Sequence, residues 1–420
     1  MKNSKHAIVK NTSMLYIMSI AKMIFPLITL PYLTRVLTVP CYGVVTYVKA
    51  IMQYMQLIVD FGFILSGTKD IVMAGQDQDK LNHEVGNVFM ARILLGSFAF
   101  GCLCILIHFI KILNENALFT ILSFVVVFLT CFLMDFYFRG IEKMEIITIR
   151  FVVMRGISTI LTFFFVKSDK DIFWIPILDI IGSIAAVVLV WIELWKNNVR
   201  IRPQGISIAF AKIKESAVYF FSDMATTAFN AFNTVLVGIY FNTVEVAYWG
   251  VCMQIIGAIQ SLYSPIADGI YPQMVRNKDI GIIKRIIKIF LPLIAAGCIF
   301  TFFVAKYALF IIGGSQYVDA APILKLLIPV LFFSFFSILY GWPTLGAIGK
   351  EKETTMTTVV TACIQVLGLF LLIAVGKFNL ITIAILRGIT ESILFFSRYL
   401  FYRKFKKQFK NADYNGQMFL

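Results

Sequence analysis

Residues 117–138 read ALFTILSFVVVFLTCFLMDFYF, an apolar run of 22 residues that contains one charged side chain, Asp135. A helix needs about 20 apolar residues to cross the hydrocarbon core of a bilayer. Transmembrane barrel strands are shorter, about 10 residues, and alternate between apolar and polar side chains, which this run does not do. The stretch therefore predicts a transmembrane helix.

Eleven more runs of this kind occur along the chain, each bounded by charged residues or by joints that contain Gly or Pro. The twelve predicted spans are residues 12–34, 44–66, 87–110, 117–138, 146–166, 172–195, 216–241, 246–272, 286–312, 321–345, 357–376 and 379–401. The first span continues past the length of a secretory signal and lacks a small-residue cleavage site, so we expect it to be retained. The predicted fold class is an all-α integral membrane protein with about 12 transmembrane helices.

The composition excludes a soluble globular protein. Of the 420 residues, 59% are hydrophobic and 15% are charged, against roughly 45–50% and 25% in ordinary soluble domains. A net charge of +15 would suggest a nucleic-acid partner in a soluble protein, but in a membrane protein it reflects the excess of Lys and Arg in cytoplasmic loops. We therefore expect no nucleic-acid partner.

The distribution of Lys and Arg predicts the orientation of the chain in the membrane. The two termini and the even-numbered loops carry 25 of these residues, and the odd-numbered loops carry 5. Because positively charged loops stay in the cytoplasm, both termini are predicted to be cytoplasmic. The loops on the other side are short and leave no room for an extracytoplasmic catalytic domain.

Several kinds of enzyme chemistry lack their sequence signatures. The three histidines are far apart, the seven cysteines are scattered, and no metal-binding spacing occurs, so no metal or cofactor is expected. The Gly-containing run from Gly341 to Glu351 lacks the arrangement of a phosphate-binding P-loop. We therefore expect a transporter that does not hydrolyse ATP, rather than an enzyme.

A weak internal repeat suggests two halves. A shift of 207 residues aligns Tyr42-Gly43-Val44 with Trp249-Gly250-Val251, each near the start of the second helix of a six-helix set. Parallel repeats around a central cavity are known among transporters. The expected division is an N-lobe of residues 1–205 with helices 1–6 and a C-lobe of residues 206–420 with helices 7–12 and a basic cytoplasmic tail.

Ionisable residues inside transmembrane spans are costly and are therefore candidates for function. Lys22, Lys49 and Arg155 lie deep in predicted spans of the first half. Arg and Lys suit phosphate binding, so these cations are candidates to line a cavity and bind a phosphate-bearing substrate. Alternatively, they form internal salt bridges with Asp60 and Asp179.

Other charged residues in the spans are candidates for pairing, ion coupling or anchoring. Arg387 and Glu391 are four residues apart on one predicted helix face, which favours a pair. Asp60, Asp179 and Asp223 are possible sites for coupling transport to H⁺ or Na⁺. Three further cations near span ends are expected to extend toward the membrane surface as structural anchors: Arg92, Lys325 and Arg398.

Two stretches of the chain resemble a known family. The first contains Asn11, Pro26, Pro31-Tyr32-Leu33-Thr34-Arg35-Val36-Leu37, Tyr42-Gly43, Asp60-Phe61-Gly62 and Gly67; the second is Asp135-Phe136-Tyr137-Phe138-Arg139-Gly140-Ile141-Glu142-Lys143-Met144. They are similar to Wzx-type flippases of O-antigen and other polysaccharide repeat units, in the multidrug/oligosaccharidyl-lipid/polysaccharide (MOP) exporter superfamily, which also contains the MATE transporters. Arg139 stands where Gln is commoner, and Thr38-Val39-Pro40-Cys41 replaces a Gly-containing turn.

The resemblance implies a fold and a function. The fold would be two six-helix lobes that open alternately to the two sides of the bacterial inner membrane. The substrate would be an undecaprenyl-diphosphate-linked oligosaccharide of lipopolysaccharide or a similar surface polysaccharide, moved from the cytoplasmic to the periplasmic leaflet with an ion gradient as the energy source. The partners would be membrane lipids, a polysaccharide polymerase and a chain-length regulator, and one chain would act as a monomer.

Two alternatives remain at this level. A MATE-like antiporter of cations or drugs would share the fold, but its cavity should be dominated by carboxylates. A membrane polysaccharide polymerase would need catalytic carboxylates or histidines in an outer loop, and none is visible.

Overall fold

The computed structural model describes residues 2–410 of the chain, and these residues are almost entirely helical. Within residues 2–410 no strand occurs, apart from an isolated bridge between Asp279 and Lys410. The predicted all-α membrane fold is confirmed. The side chain of the motif residue Asn11 and the last ten residues of the basic tail lie outside the described part of the chain.

Contacts between residues divide the chain into two compact units. The first contains residues 1–227 and 234–247, and the second contains residues 228–233 and 248–420. The division into two six-helix lobes at residue 205, which the internal repeat suggested, stays a prediction.

The helices of the first unit lie in the following order: α1 (Lys2–Val36), α2 (Val39–Asp60), α3 (Phe63–Ala74), α4 (Gln78–Phe109), α5 (Lys111–Glu115), α6 (Ala117–Leu129), α7 (Asp135–Gly140), α8 (Met144–Phe165), α9 (Trp174–Lys196) and most of α10 (Ile206–Tyr240). The second unit contains most of α11 (Thr243–Ser261), then α12 (Ser264–Asn277), α13 (Ile280–Gly313), α14 (Ala321–Leu326), α15 (Ile328–Leu339), α16 (Glu351–Ala374) and α17 (Leu380–Lys404). A π-helical segment over Tyr340–Leu345 follows α15.

Ten segments of the described chain are long and apolar enough to cross a membrane. They coincide with ten of the twelve predicted spans. The other two predicted spans, 44–66 and 216–241, fall on α2 and α10. On α2, Lys49 and Asp60 lie within the predicted span and lower its mean hydropathy. On α10, the described apolar helix is the shorter segment Ala231–Tyr240.

Two predicted spans are interrupted. The span 44–66 breaks after Asp60, where Phe61 and Gly62 adopt positive φ angles of 39° and 77° that end α2. The span 117–138 breaks after Leu129, where a 3₁₀ turn leads to Met134 with φ 47°. Hydropathy averaged over a whole span does not detect either break, because apolar residues predominate before and after each turn.

Each unit has its own apolar core. In the first unit Phe63 of α3 and Val85 of α4 pack with Phe136 and Phe138 of α7 and with Val190 of α9.

In the second unit a cluster rich in aromatic residues is centred on Phe335 and Phe336 of α15 and on Tyr340. The long helices are thus held by side chains distant in sequence, and this packing positions the charged residues described below.

The segment between α9 and α10 is fastened to the start of α4. The amide nitrogen of Arg200 donates to Asn82 Oδ1 at 2.7 Å, and that of Gln204 donates to Asn87 Oδ1 at 2.9 Å. The Asn87 side chain donates in turn to Gln204 Oε1 at 2.9 Å. This segment is therefore an ordered part of the first unit rather than a free linker.

Gly86 lies where this segment crosses α4, and its replacement should be destabilising. A Cβ atom at this position would lie 2.5 Å from the backbone carbon of Arg202 and 2.5 Å from the nitrogen of Pro203. Because backbone atoms cannot swing away, we expect Gly86→Ala to lower the free energy of unfolding by about 1–3 kcal/mol. Thermal unfolding of the purified protein in detergent measures the change.

Gly101 on the same helix provides the matched control. A Cβ atom there meets nothing within 4 Å, so Gly101→Ala should be neutral or stabilising by up to about 1 kcal/mol through helix propensity. Equal effects of the two substitutions would show that the segment is not packed as described.

Candidate functional site

The first candidate site brings together two of the predicted cations. Arg155 of α8 lies 3.4 Å from Asp179 of α9, and Ser158 donates a short hydrogen bond to the same carboxylate. Lys49 of α2 interacts electrostatically with both Asp179 and Arg155. We call Lys49, Arg155 and Asp179 the α2–α8–α9 cluster.

The α2–α8–α9 cluster keeps a surplus of positive charge. Its two cations face one carboxylate, and Lys49 makes no ion pair with any described residue. The Arg155 side chain is 43% exposed, so it retains donors that can reach a ligand. The alternative of a simple internal salt bridge therefore accounts for only part of this arrangement, because one pair leaves one cation over.

Lys22, the third predicted cation, lies in a separate cluster. Its ammonium is 5.7 Å from the centroid of the Phe151 ring, and it interacts electrostatically with Arg150, Asp135 and Arg139. Lys22, Arg139, Arg150 and Asp135 form the α1–α7–α8 cluster, with three cations and one carboxylate.

Arg150 lies inside the predicted span 146–166, but the sequence reasoning did not name it as a candidate. The structure places it on α8, where its Nε donates to Asp135 Oδ1 at 2.7 Å and its Nη2 makes a second contact with the same carboxylate. The available signal was Asp135 itself, the single charged residue of the run 117–138, because a lone carboxylate in an apolar run requires a cationic partner.

Asp60 lies in a third group of polar residues, at the end of α2. Arg92 of α4 donates to it at 2.7 Å, and Gln56 donates to it at 2.8 Å and to Thr130 at 3.0 Å. The prediction that Arg92 extends to the membrane surface is wrong: its side chain is 7% exposed, because the pair with Asp60 holds it inside the unit.

Asp223 of α10 is half-buried and has no ion pair with any residue that the structure describes. Its electrostatic neighbour is Asp60. Nothing here assigns it a function, and its role in ion coupling stays a prediction.

In the second unit Arg387 and Glu391 of α17 are both buried. Arg387 Nη1 donates to Glu391 Oε2 at 2.7 Å, and the Ser337 hydroxyl donates to Glu391 Oε1 at 3.1 Å.

A second polar group lies beside this pair. Gln365 of α16 donates to Asn233 at 2.8 Å and accepts from Thr390. Together with the contacts of the pair, these contacts join α10, α15, α16 and α17 through polar groups.

Arg398, also on α17, does not extend to the membrane surface as predicted. It is 9% exposed, and its guanidinium donates to the carbonyl of Ser337 at 2.6 Å, to Thr358 at 2.9 Å and to Thr357 at 3.3 Å. These acceptors, on α15 and α16, keep the charge inside the second unit.

Lys325, the third cation of the set predicted to act as anchors, lies 4.6 Å from the centroid of the Phe302 ring.

A charged group outside the apolar part of the first unit connects α3, α4 and α10. Lys212 lies 2.7 Å from Asp70 and 2.6 Å from Glu84. Burial by itself lowers the pKa of Lys212, but the hydrogen bonds and charges of Asp70 and Glu84 outweigh burial and raise it above the ordinary value of 10.5.

The raised pKa of Lys212 predicts a pH-dependent contribution to stability. A lysine whose pKa is higher in the folded state stabilises that state fully below about pH 10.5, and the contribution is lost as pH rises through the folded-state pKa. We expect Lys212→Met to lower the free energy of unfolding by about 2 kcal/mol at pH 8 and by progressively less above pH 10.5.

Thermal unfolding between pH 8 and pH 11 measures this difference. The matched control is Lys214→Met, because Lys214 lies two positions away and is exposed. The prediction is wrong if the difference in the free energy of unfolding between wild type and Lys212→Met stays constant up to pH 11. It is also wrong if this difference equals the one that Lys214→Met produces.

The described residues contain no group of three His, Cys, Asp or Glu side chains arranged to hold a metal ion. Ten apolar spans in two units, with cations placed on the helices of the first unit, define a polytopic helical membrane protein.

The family follows from the sequence. Residues 8–278 match the family model described as "Polysaccharide biosynthesis protein", and the chain belongs to this family. A "Putative O-antigen transporter" of Shigella dysenteriae is 26% identical over 376 residues, which cover 87% of this chain and 92% of the relative.

Solved structures of the superfamily share the fold. "Lipid II flippase MurJ, inward closed conformation" matches with a TM-score of 0.69 at 13% identity, covering 94% of this chain and 87% of that one. An inward-facing multidrug resistance MATE family transporter of the MOP superfamily matches with a TM-score of 0.64 at 13% identity, covering 92% and 99%. These structures show the fold, whereas the family model and the O-antigen transporter relative confirm the predicted resemblance to polysaccharide transport proteins.

Proposed function

We propose that this chain is a flippase for an undecaprenyl-diphosphate-linked oligosaccharide, which it moves from the cytoplasmic to the periplasmic leaflet of the bacterial inner membrane. The observation that carries the proposal is the surplus of cations on the first unit. The α2–α8–α9 and α1–α7–α8 clusters together contain five cations and two carboxylates. The name of the O-antigen transporter relative supports the same class of substrate.

The chemistry of a diphosphate explains why these cations are needed. A diphosphate entering hydrocarbon loses its hydration, which is prohibitive for an uncompensated charge. Arg155 can bind phosphate oxygens with two parallel hydrogen bonds, whereas Lys49 and Lys22 act as point charges. In this proposal the lipid tail stays in the bilayer while the headgroup passes along the cationic surface.

Ion coupling and the wider arrangement belong to the same proposal. Asp60, Asp179 and Asp223 are the candidates for coupling to H⁺ or Na⁺, and Asp223 is favoured because Asp60 and Asp179 have cationic partners. Two lobes, residues 1–205 and 206–420, would open alternately, with both termini in the cytoplasm. A single chain would act as a monomer beside a polymerase and a chain-length regulator.

Lipid-linked oligosaccharides extracted from cells with and without the gene test the proposal. We expect cells without it to accumulate one diphosphate-linked repeat unit that an impermeant sugar-oxidising probe cannot reach from outside. Re-expression of the gene should restore access. No accumulation, together with new sensitivity to cationic dyes, would contradict the flippase and favour the drug antiporter.

A further inference from the structure

A cavity of about 360 Å³ lies within the second unit. It is lined by residues of α12, α15, α17 and the π-helical segment, among them Asp268, Tyr271, Trp342 and Arg398. Its volume falls at the lower end of the range of small-molecule sites, about 300–1,000 Å³. The cavity is separate from the cation clusters, all of whose residues belong to the first unit.

Asp268 supplies an available acceptor. It is exposed, and no described residue forms a hydrogen bond or an ion pair with it. Arg398 lines the same cavity but directs its guanidinium to the acceptors Ser337, Thr357 and Thr358. Because no described protein group competes for this carboxylate, a ligand in the cavity can donate hydrogen bonds to it.

Trp342 supplies an aromatic surface. Its side chain is 52% exposed although its neighbours Gly341 and Pro343 are buried. The backbone leaves the helical path at Gly341, where ψ is −117°, and π-helical turns of this kind are frequent at functional sites. Tyr271 lines the cavity as a second aromatic residue.

The charges of the lining favour a neutral ligand. One carboxylate and one guanidinium line the cavity, so their charges balance and the lining has no net charge that would select an ionic ligand. A sugar ring is neutral, its hydroxyls donate to carboxylates, and its C–H faces stack on aromatic rings. By the predicted topology Asp268, Trp342 and Arg398 also lie near the cytoplasmic ends of their spans, where the substrate would enter.

We propose that this cavity binds a sugar ring of the transported oligosaccharide, with Trp342 as the stacking surface and Asp268 as the hydroxyl acceptor. The inference rests on the proposed function and adds to it a sugar subsite in the second unit. Recognition of the glycan is thereby separated from binding of the diphosphate.

Two lipid probes test the subsite, with native mass spectrometry of the full chain as the readout. The first is undecaprenyl diphosphate without sugar, and the second is the same lipid bearing the repeat unit, purified from cells without the gene. We expect the wild-type protein to bind the sugar-bearing lipid more tightly. Asp268→Asn and Trp342→Leu should each weaken that binding at least tenfold and leave binding of the bare lipid unchanged.

Two variants control for indirect effects. Trp342→Phe retains an aromatic face and should keep most of the affinity for the sugar-bearing lipid. Asp319→Asn removes a carboxylate from the same unit at an exposed position outside the cavity, and it should change neither affinity.

The outcomes separate this inference from the function on which it rests. Equal wild-type affinity for both lipids, or equal weakening of both by Asp268→Asn, would overturn the sugar subsite and leave the flippase intact. Asp268-dependent binding of ethidium without a preference for the sugar-bearing lipid would replace the sugar by an organic cation. Binding of neither lipid would contradict the flippase, and the subsite would fall with it.

Discussion

A chain carrying both Lys49→Gln and Arg155→Gln is expected to lose transport of the lipid-linked oligosaccharide. These substitutions remove the two cations of the α2–α8–α9 cluster and leave the carboxylate of Asp179. A hydrogen bond to a charged group is worth about 1.5–3 kcal/mol, so loss of two should weaken binding of a diphosphate by at least roughly 100-fold. The remaining negative charge adds repulsion.

Complementation of cells without the gene measures this loss. Surface polysaccharide and the accumulated lipid-linked repeat unit are quantified at matched expression of each variant. Lys306→Gln is the control, because Lys306 is an exposed cation on a helix of the second unit. We expect the control to restore surface polysaccharide fully. Full restoration by the double variant would contradict a role for the cluster in transport.

Asp179→Asn distinguishes a substrate-binding role from a purely structural salt bridge. If the two cations bind diphosphate, removal of the carboxylate leaves them in place and binding of undecaprenyl diphosphate is retained or strengthened. If the cluster only holds α8 to α9, Asp179→Asn should lower the unfolding temperature as much as the double variant does. A lipid-binding assay and a thermal unfolding assay on the same preparations give both answers.

Arg387→Met should have the largest effect on stability among single substitutions in the second unit. Arg387 and Glu391 are 1% and 3% exposed, so removal of the cation leaves a carboxylate inside the protein with Ser337 as its remaining hydrogen-bond donor. Breaking a buried pair from one side costs about 3–5 kcal/mol. Thermal unfolding in detergent, followed by size-exclusion chromatography, measures the loss.

The double variant Arg387→Met, Glu391→Leu is the matched control. Replacing both members of a buried pair by apolar residues of similar volume is often neutral or stabilising, so the double variant should recover much of the stability. If it unfolds as readily as Arg387→Met alone, the pair is not the source of the effect and packing around α17 is responsible.

Local sequence predicted the long helices well. The predicted spans 146–166 and 172–195 correspond to Met144–Phe165 and Trp174–Lys196. The prediction succeeds because the free energy of moving a helix into lipid is close to a sum over its own residues. It fails at Phe61-Gly62 and at Leu129–Met134, where the chain turns among side chains of other helices.

The charged residues show the opposite pattern. Hydropathy singled out Lys22, Lys49 and Arg155 because each interrupts an apolar run. Of the two carboxylates named as possible partners, Asp179 pairs with Arg155, whereas Asp60 pairs with Arg92. Arg92 binds a carboxylate 32 residues away, and Arg398 binds acceptors 40 and 61 residues away. Of the predicted partners, the spacing of four residues on one helix indicated only the contact between Arg387 and Glu391.

The sequence by itself thus determined that most of this chain lies in a lipid bilayer, and it determined the approximate limits of the helices and the family to which the chain belongs. The tertiary structure decided which cations form ion pairs with carboxylates and which remain available to bind a ligand. It also placed Asp268 and Trp342 at one cavity. The physical reason is that burial in lipid depends on each segment alone, whereas the partner of a charge depends on which helices pack side by side.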